Sequence, residues 1–237
     1  MQLFYAPRIE EKPHCLPPDE SAHAVRVLRL GRGAEIAVTD GRGTLVRAVI
    51  ERPDPECCGV RILSAERDCG RLPYRLTLAV ALTRNPERWE WFAEKAVEIG
   101  AERIVPLDCE RGERRRFRAD RAERIITAAV KQSLKTFRPR LAPLSTVAEL
   151  LSEPAEGARL IAHCSPELPR VYLGDAVTPG SACTVMIGPE GDFSPAETEA
   201  ALAAGFRAVT LGPHRLRTET AGVAAAVIVS AVNCLTR

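Results

Sequence analysis

Several common chemistries leave no trace in this 237-residue chain. No GxxxxGK followed by Ser or Thr occurs, which excludes an ordinary P-loop nucleotide site, and no GxGxxG follows a strand-like run, which argues against a dinucleotide fold. The eight cysteines (Cys15, Cys57, Cys58, Cys69, Cys109, Cys164, Cys183 and Cys234) form no CxxC pair and no ligand-like spacing with the four histidines. A structural zinc site needs four clustered ligands, so none is expected. Glu190, Asp192 and Glu219 are too few carboxylates for a hard-cation site, and helix-start pairing suits them better. Met1-Gln2-Leu3-Phe4-Tyr5 runs straight into charged residues, so no secretory signal is expected. Reduced thiols in the cytoplasm are the simplest expectation. The most apolar stretch, 221–235, is too short and alanine-rich to span a bilayer and predicts a buried helix. Internal repeats and low-complexity linkers are absent.

Apolar residues make up 46% of the chain, enough for a sizeable core, and its length allows one large domain or two modest ones. The net charge of +2 hides a strong asymmetry. Residues 111–140 hold eleven Lys/Arg against three acids, a local excess of +8, while the remainder sums to −6. With few acids nearby to balance it, the run predicts a polyanion footprint, the alternative being a solvated helix face with Arg–Glu pairs.

Two rhythms divide the chain. Glu35 to Thr39 and Thr44 to Ile50 are short β-branched runs separated by Asp40-Gly41-Arg42-Gly43, a hairpin signal, and Val60 to Leu63 is a third. Ser21 to Leu30 is expected to be helical, with Ala24, Val27 and Leu28 on one face. A small barrel or sheet is predicted for residues 1–70. Strands and helices then alternate through 71–237: strand-like Tyr74 to Leu82, a helix opened by Asn85-Pro86 and ended by Gly100, strand-like Arg103 to Leu107, and a basic helix from Ala119 to Thr136. Leu160-Ile161-Ala162 and Val185-Met186-Ile187 are further strand candidates, and Ser194-Pro195-Ala196-Glu197 forms a capping box. Such alternation predicts an α/β fold with a mostly parallel sheet. The boundary falls near Gly70-Arg71-Leu72-Pro73.

Two glycine-proline loops, each joining a strand to a helix, carry the functional signal. Gly188-Pro189-Glu190-Gly191-Asp192-Phe193-Ser194-Pro195 comes after one apolar run, and Gly212-Pro213-His214-Arg215-Leu216-Arg217-Thr218-Glu219-Thr220 comes after Ala208 to Leu211. Loops leaving the carboxyl ends of parallel strands are where α/β proteins bind ligands, and glycine lets the backbone come close. One pocket for one small molecule is expected. His163-Cys164 could suggest a thiol hydrolase, but strand neighbours point to opposite faces. His214 is well placed for a base, though a solvent-facing loop histidine accounts for it better.

These loops, with Leu216-Arg217-Thr218-Glu219-Thr220-Ala221 as the most specific part, resemble the ribosomal RNA small subunit methyltransferase E family. Glu94 to Gly100, His23 and Val27 to Leu30 are similar to further family segments, and Glu110-Arg111 and Lys131-Gln132-Ser133 match more loosely. Departures are Asp192, where a second glycine is common, His214, and Leu134 to Arg138. The resemblance implies a SPOUT-class enzyme that methylates N3 of a uridine in 16S rRNA with S-adenosylmethionine. It also implies a C-terminal trefoil knot, a PUA-like N-terminal barrel and a homodimer acting on 16S rRNA or the assembled 30S subunit. Under it, Gly188, Glu190, Gly191, Leu211, Gly212, Leu216 and Thr220 are expected to hold the cofactor, and Arg217 and Glu219 to act in catalysis. Arg29, Arg111, Arg114, Arg115 and Arg116 are expected to contact RNA. The competing expectation is a non-catalytic RNA-binding factor on the same scaffold.

Overall fold

The computed structural model describes residues 2–113, 115–154, 156–164 and 168–234. The chain separates into two compact units, Met1–Arg71 with Thr127–Arg138, and Leu72–Ile126 with Pro139–Arg237.

In the first unit β1 (Leu3–Tyr5) runs parallel to β2 (Glu35–Thr39), and β3 (Leu45–Arg52) and β4 (Gly59–Glu66) continue the sheet antiparallel. The hairpin between β2 and β3 forms where Asp-Gly places it. The Asp40 carboxylate accepts the backbone N–H groups of Arg42 at 2.7 Å and Thr44 at 3.0 Å, closing the turn. Gly43, at φ 98°, lies against the Phe137 ring where a Cβ would come within 2.3 Å. Phe4, Ile9, Leu16, Ile36, Val38, Val46 and Ile50 alternate inward along these segments and form the core.

Two features of this unit differ from the sequence expectation. Ser21 to Leu30 is not one regular helix: α1 (Pro18–Ala22) passes into a π-helical turn over His23–Val27, where Leu28 N–H donates to His23 O. The wider turn rotates the residues along it, so Ala24 is fully buried while Val27 is 66% exposed rather than sharing its face. Cys15 and Cys57 form a disulfide, so not all eight thiols are reduced. The cause is local pairing: a bridge between Cys15 and Gly59 lays the two segments side by side. Residues 127–138 fold with this unit because Thr39 Oγ1 and the Gly43 N–H both donate to Thr136 O, and Lys131 pairs with Glu20 at 2.6 Å.

The second unit has β5 (Arg75–Ala81), β6 (Arg103–Asp108), β7 (Arg140–Leu141), β8 (Ser145–Thr146), β9 (Ala158–Ala162), β10 (Val171–Tyr172), β11 (Ala182–Ile187) and β12 (Arg207–Thr210). Among the described residues the sheet order is β10-β12-β9-β11-β5-β6-β7, with β8 also on β6, and every pair is parallel. Its central strands are continuous apolar runs, Leu78 to Ala81, Ile104 to Leu107 and Val185 to Ile187, as a sheet covered on both faces requires.

The helices start where capping chemistry puts them. In α2 (Pro86–Ile99) the Asn85 side chain accepts the Glu87 N–H at 3.0 Å, Pro86 takes the first turn, and Gly100 at φ 127° ends it. The basic α3 (Ala119–Gln132) and the short α4 (Val147–Ser152) and α5 (Leu173–Ala176) come next. In α6 (Pro195–Ala203) Ser194 and Glu197 complete the reciprocal capping box at 3.1 and 2.9 Å. The last helix, α7 (Thr218–Cys234), packs on α2, where Gly222 sits so close to Phe92 that a Cβ would meet the ring at 2.6 Å. No helix among the described residues is long and apolar enough to cross a membrane.

Candidate cofactor site

The strands β12, β9 and β11 are neighbours, and the segments leaving their carboxyl ends enclose a cavity of about 890 Å³. Both glycine-proline loops meet there because β9 alone separates β11 from β12. Gly188, Glu190, Leu211, Gly212 and Leu216 line it, with Ile187, Pro189, Asp192, His214, Arg215 and Thr218. Apolar side chains and bare glycine backbone share the wall with charged and polar side chains, a lining that suits a ligand with both apolar and polar parts.

The loops are fastened to each other and to β9. The Thr218 hydroxyl, at the first turn of α7, donates to Gly188 O at 3.0 Å. The Asp192 carboxylate accepts the Cys164 N–H at 2.8 Å and the Phe193 N–H at 2.8 Å. Asp192 has φ 63°, the left-handed region where glycine, asparagine and aspartate are tolerated, which explains an acid in place of a glycine. Gly212, at φ 146°, has nothing within 4 Å of where a Cβ would stand. Its bare backbone therefore faces open space at the cavity wall. Gly188 is tighter, since a Cβ there would meet Phe193 at 3.0 Å.

Other expected residues lie elsewhere. Gly191 is off the cavity wall and packs on Arg111, which donates to Gly191 O at 3.3 Å and Phe193 O at 3.4 Å. Arg111 therefore braces the first loop. Glu190 accepts the Arg84 N–H at 3.2 Å. Thr220 is exposed and does not line the cavity, whereas Thr218 does. Arg217 is exposed on the second loop, and its side chain makes no hydrogen bond or ion pair with the described residues. Glu219 is buried and faces Arg88 of α2 at 3.6 Å, with Oε2 lacking a partner among the described residues.

The arginine run proves less free than its sequence suggests. Arg115 pairs with Asp108 and donates to the carbonyls of Cys109 and Glu110. Arg121 pairs with Glu90 at 2.7 Å and Arg124 with Asp120 at 3.1 Å. Several of the acids that pair with basic residues lie far away in sequence, so a local count could not find them. Arg116 is exposed, and Arg114 lies outside the described residues. Arg29 belongs to the first unit, is exposed, and has φ 55°.

Besides the two loops, the wall takes in a third segment that the expected set lacks. His163 and Cys164 come directly after β9 and form part of the cavity wall. The sequence signal for them is their position directly after the strand-like run Leu160-Ile161-Ala162. Burial pushes the His163 imidazole below its ordinary range; Asp192 opposes the shift and Arg170 adds to it. A neutral imidazole in the wall is the consequence near pH 7.

Comparison with known proteins agrees with this geometry. Residues 70–230 match the RNA methyltransferase domain family, and residues 16–62 match the RNA methyltransferase PUA domain family. Together they define the class, an RNA methyltransferase with an accompanying PUA domain. The ribosomal RNA small subunit methyltransferase E of Mycobacterium tuberculosis is 34% identical, covering 92% of this chain and 85% of its own length. Among solved structures, a probable rRNA methyltransferase from Porphyromonas gingivalis is 42% identical, with TM-score 0.93 and full coverage of both chains. The ribosomal RNA small subunit methyltransferase E of Neisseria gonorrhoeae, bound to S-adenosyl methionine, is 30% identical, with TM-score 0.84 and 98% of each chain covered. The chain belongs to the ribosomal RNA small subunit methyltransferase E family.

Proposed function

We propose that the cavity between the two glycine-proline loops binds S-adenosylmethionine and that the protein transfers its methyl group to N3 of a uridine in 16S rRNA, as naked RNA or in the assembled 30S subunit. The observation that carries this reading is the wall built by Gly188, Gly212, Leu216 and Thr218 at the carboxyl ends of β11 and β12. Its volume lies within the range of cofactor pockets, and Gly212 leaves the main chain bare for close approach. The wall also offers both charges, Arg170 and Arg215 against Glu190 and Asp192, which fits a zwitterionic ligand.

When bound, S-adenosylmethionine supplies an electrophilic methyl group. The loops fix its position, and positioning accounts for much of the rate of an in-line displacement. As the new N3–carbon bond forms, the methyl–sulfur bond would break to release S-adenosylhomocysteine and the N3 proton would pass to water, so negative charge builds on O2 and O4. Arg217, exposed and without a partner among the described residues, supplies a guanidinium to that charge. Glu219 holds the start of α7 against Arg88 and thereby orients the loop that bears Arg217.

RNA contact is assigned to the first unit and to the exposed part of the arginine run. Arg26, Arg29 and Arg32 succeed one another around the π turn and the loop after it. They are exposed, and their side chains make no ion pair with the described residues. Arg116, exposed in the second unit, is a further candidate for RNA contact, as is Arg114, which lies outside the described residues, while Arg111 and Arg115 also brace the protein's own loops. The remaining assignments are a trefoil knot in the C-terminal domain, a PUA-like barrel spanning 1–70, a homodimer and the cytoplasm. The dimer assignment rests on the family resemblance, with Val227, 50% exposed on α7, as a candidate contact. Titrating S-adenosylmethionine into the purified protein by calorimetry tests the first step: saturable binding is expected, and no binding contradicts the reading.

A further inference from the structure

A second cavity, of about 290 Å³, lies at the opposite, amino-terminal end of the same sheet. Five of its lining residues form one row across neighbouring parallel strands. Arg159 on β9 stands beside Thr184 on β11, and Thr184 beside Thr77 on β5. Thr77 stands beside Arg103 on β6, and Arg103 beside Arg140 on β7. In-register residues of a parallel sheet share a face, so three guanidinium groups and two hydroxyls point into one space.

Like charges side by side on adjacent strands are unfavourable, so Arg103 and Arg140 need an anion between them. Glu153 meets part of that need, accepting two bonds from Arg103 at 2.6 and 2.7 Å, while Glu156 pairs with Arg75. Arg159 donates to the carbonyls of Ala204 at 2.9 Å and Glu153 at 3.0 Å. The remaining donors are unmet. Arg103 Nε is buried without an acceptor among the described residues. The Arg140 guanidinium acts on Glu153 electrostatically but forms no hydrogen bond or ion pair with the described residues, and the hydroxyls of Thr77 and Thr184 likewise bond to none of them. Four arginines against Glu102, Glu153 and Glu156 leave one positive charge in excess. Cys183 adds no negative charge, because burial pushes its thiol up to about 11.

We propose that this row is an oxyanion site for a tetrahedral phosphate group, bound by Thr77, Thr184 and Arg140, with the neighbouring Arg103 adding positive charge. Hydroxyls and guanidinium N–H groups converging on one point match the several acceptor oxygens of a phosphate. The site is separate from the cofactor cavity and does not depend on the methyltransferase reading. Its phosphate comes either from an RNA backbone or from free phosphate in solution.

The test is a calorimetric titration of inorganic phosphate into the full chain, with and without S-adenosylmethionine. Saturable binding is expected, unchanged by the cofactor, and weakened roughly tenfold or more in Arg140→Ala. The pair Thr77→Val and Thr184→Val, which keeps every charge, is expected to weaken it as well. Both variants are checked for an unchanged circular dichroism melt. No saturable binding, equal affinity in Arg140→Ala, or competition by the cofactor overturns the proposal. An RNA titration across salt concentrations separates the sources. A salt slope smaller by about one in Arg140→Ala marks a backbone phosphate, and an unchanged slope with lost phosphate binding marks free phosphate; both uphold the site.

Discussion

The Asp192 carboxylate accepts the Cys164 N–H at 2.8 Å across 28 residues of chain, tying the first glycine-proline loop to the end of β9. Asp192→Gly keeps the left-handed backbone but loses the tie. Its removal is expected to weaken S-adenosylmethionine binding by about 1–2 kcal/mol, roughly fivefold to thirtyfold, with the melting temperature little changed. Calorimetry on the variant checks this, and unaltered affinity removes Asp192 from the site.

Gly212 has φ 146°, which a side chain rarely adopts, and its absent Cβ would stand at the cavity wall. Gly212→Val is expected to abolish cofactor binding while the protein stays folded, because the loop is partly exposed and outside the core. Near-normal binding by a folded Gly212→Val variant refutes the pocket assignment.

The arginines divide into two functions. Arg111 holds the carbonyls of Gly191 and Phe193, so Arg111→Ala is expected to raise the cofactor Kd severalfold. Reversing Arg26, Arg29 and Arg32 to Glu is expected to weaken RNA binding and flatten its salt dependence, with cofactor affinity intact. Filter binding over a salt series, beside cofactor calorimetry, separates the two effects. An identical salt slope in the triple variant contradicts the assignment.

Asp40 gives the first unit a pH dependence. Burial alone would raise its carboxyl, but the N–H groups of Arg42 and Thr44, with the Thr44 hydroxyl and the Arg42 charge, outweigh burial and hold it below the ordinary 3.8. A depressed folded value contributes stability above the unfolded value, and that contribution is lost as pH falls through the folded one. Asp40→Asn is therefore expected to lower the melting temperature at pH 7 and to make progressively less difference below about pH 4. A melting difference that is constant from about pH 7 to about pH 3 contradicts this.

Local chemistry made much of this fold legible. Asp40-Gly41-Arg42-Gly43, Asn85-Pro86 and Ser194-Pro195-Ala196-Glu197 act within a few residues, and each forms the turn or cap its sequence predicts. The two loops were visible as strand-to-helix junctions for the same reason. Long-range relations were not visible. Nothing local announces that β9 lies between β11 and β12, which brings His163 and Cys164 into the wall. Nor does it show that Glu20 and Glu90 neutralise Lys131 and Arg121. The π turn at His23–Val27 escaped because its apolar spacing is that of an ordinary helix.

The most direct measurement is mass spectrometric mapping of nucleosides in small-subunit rRNA or 30S particles lacking the mark, incubated with the purified protein and methyl-labelled S-adenosylmethionine. The account predicts labelled 3-methyluridine at one position, lost in the Gly212→Val variant. No transfer, or label on any atom other than uridine N3, would contradict it.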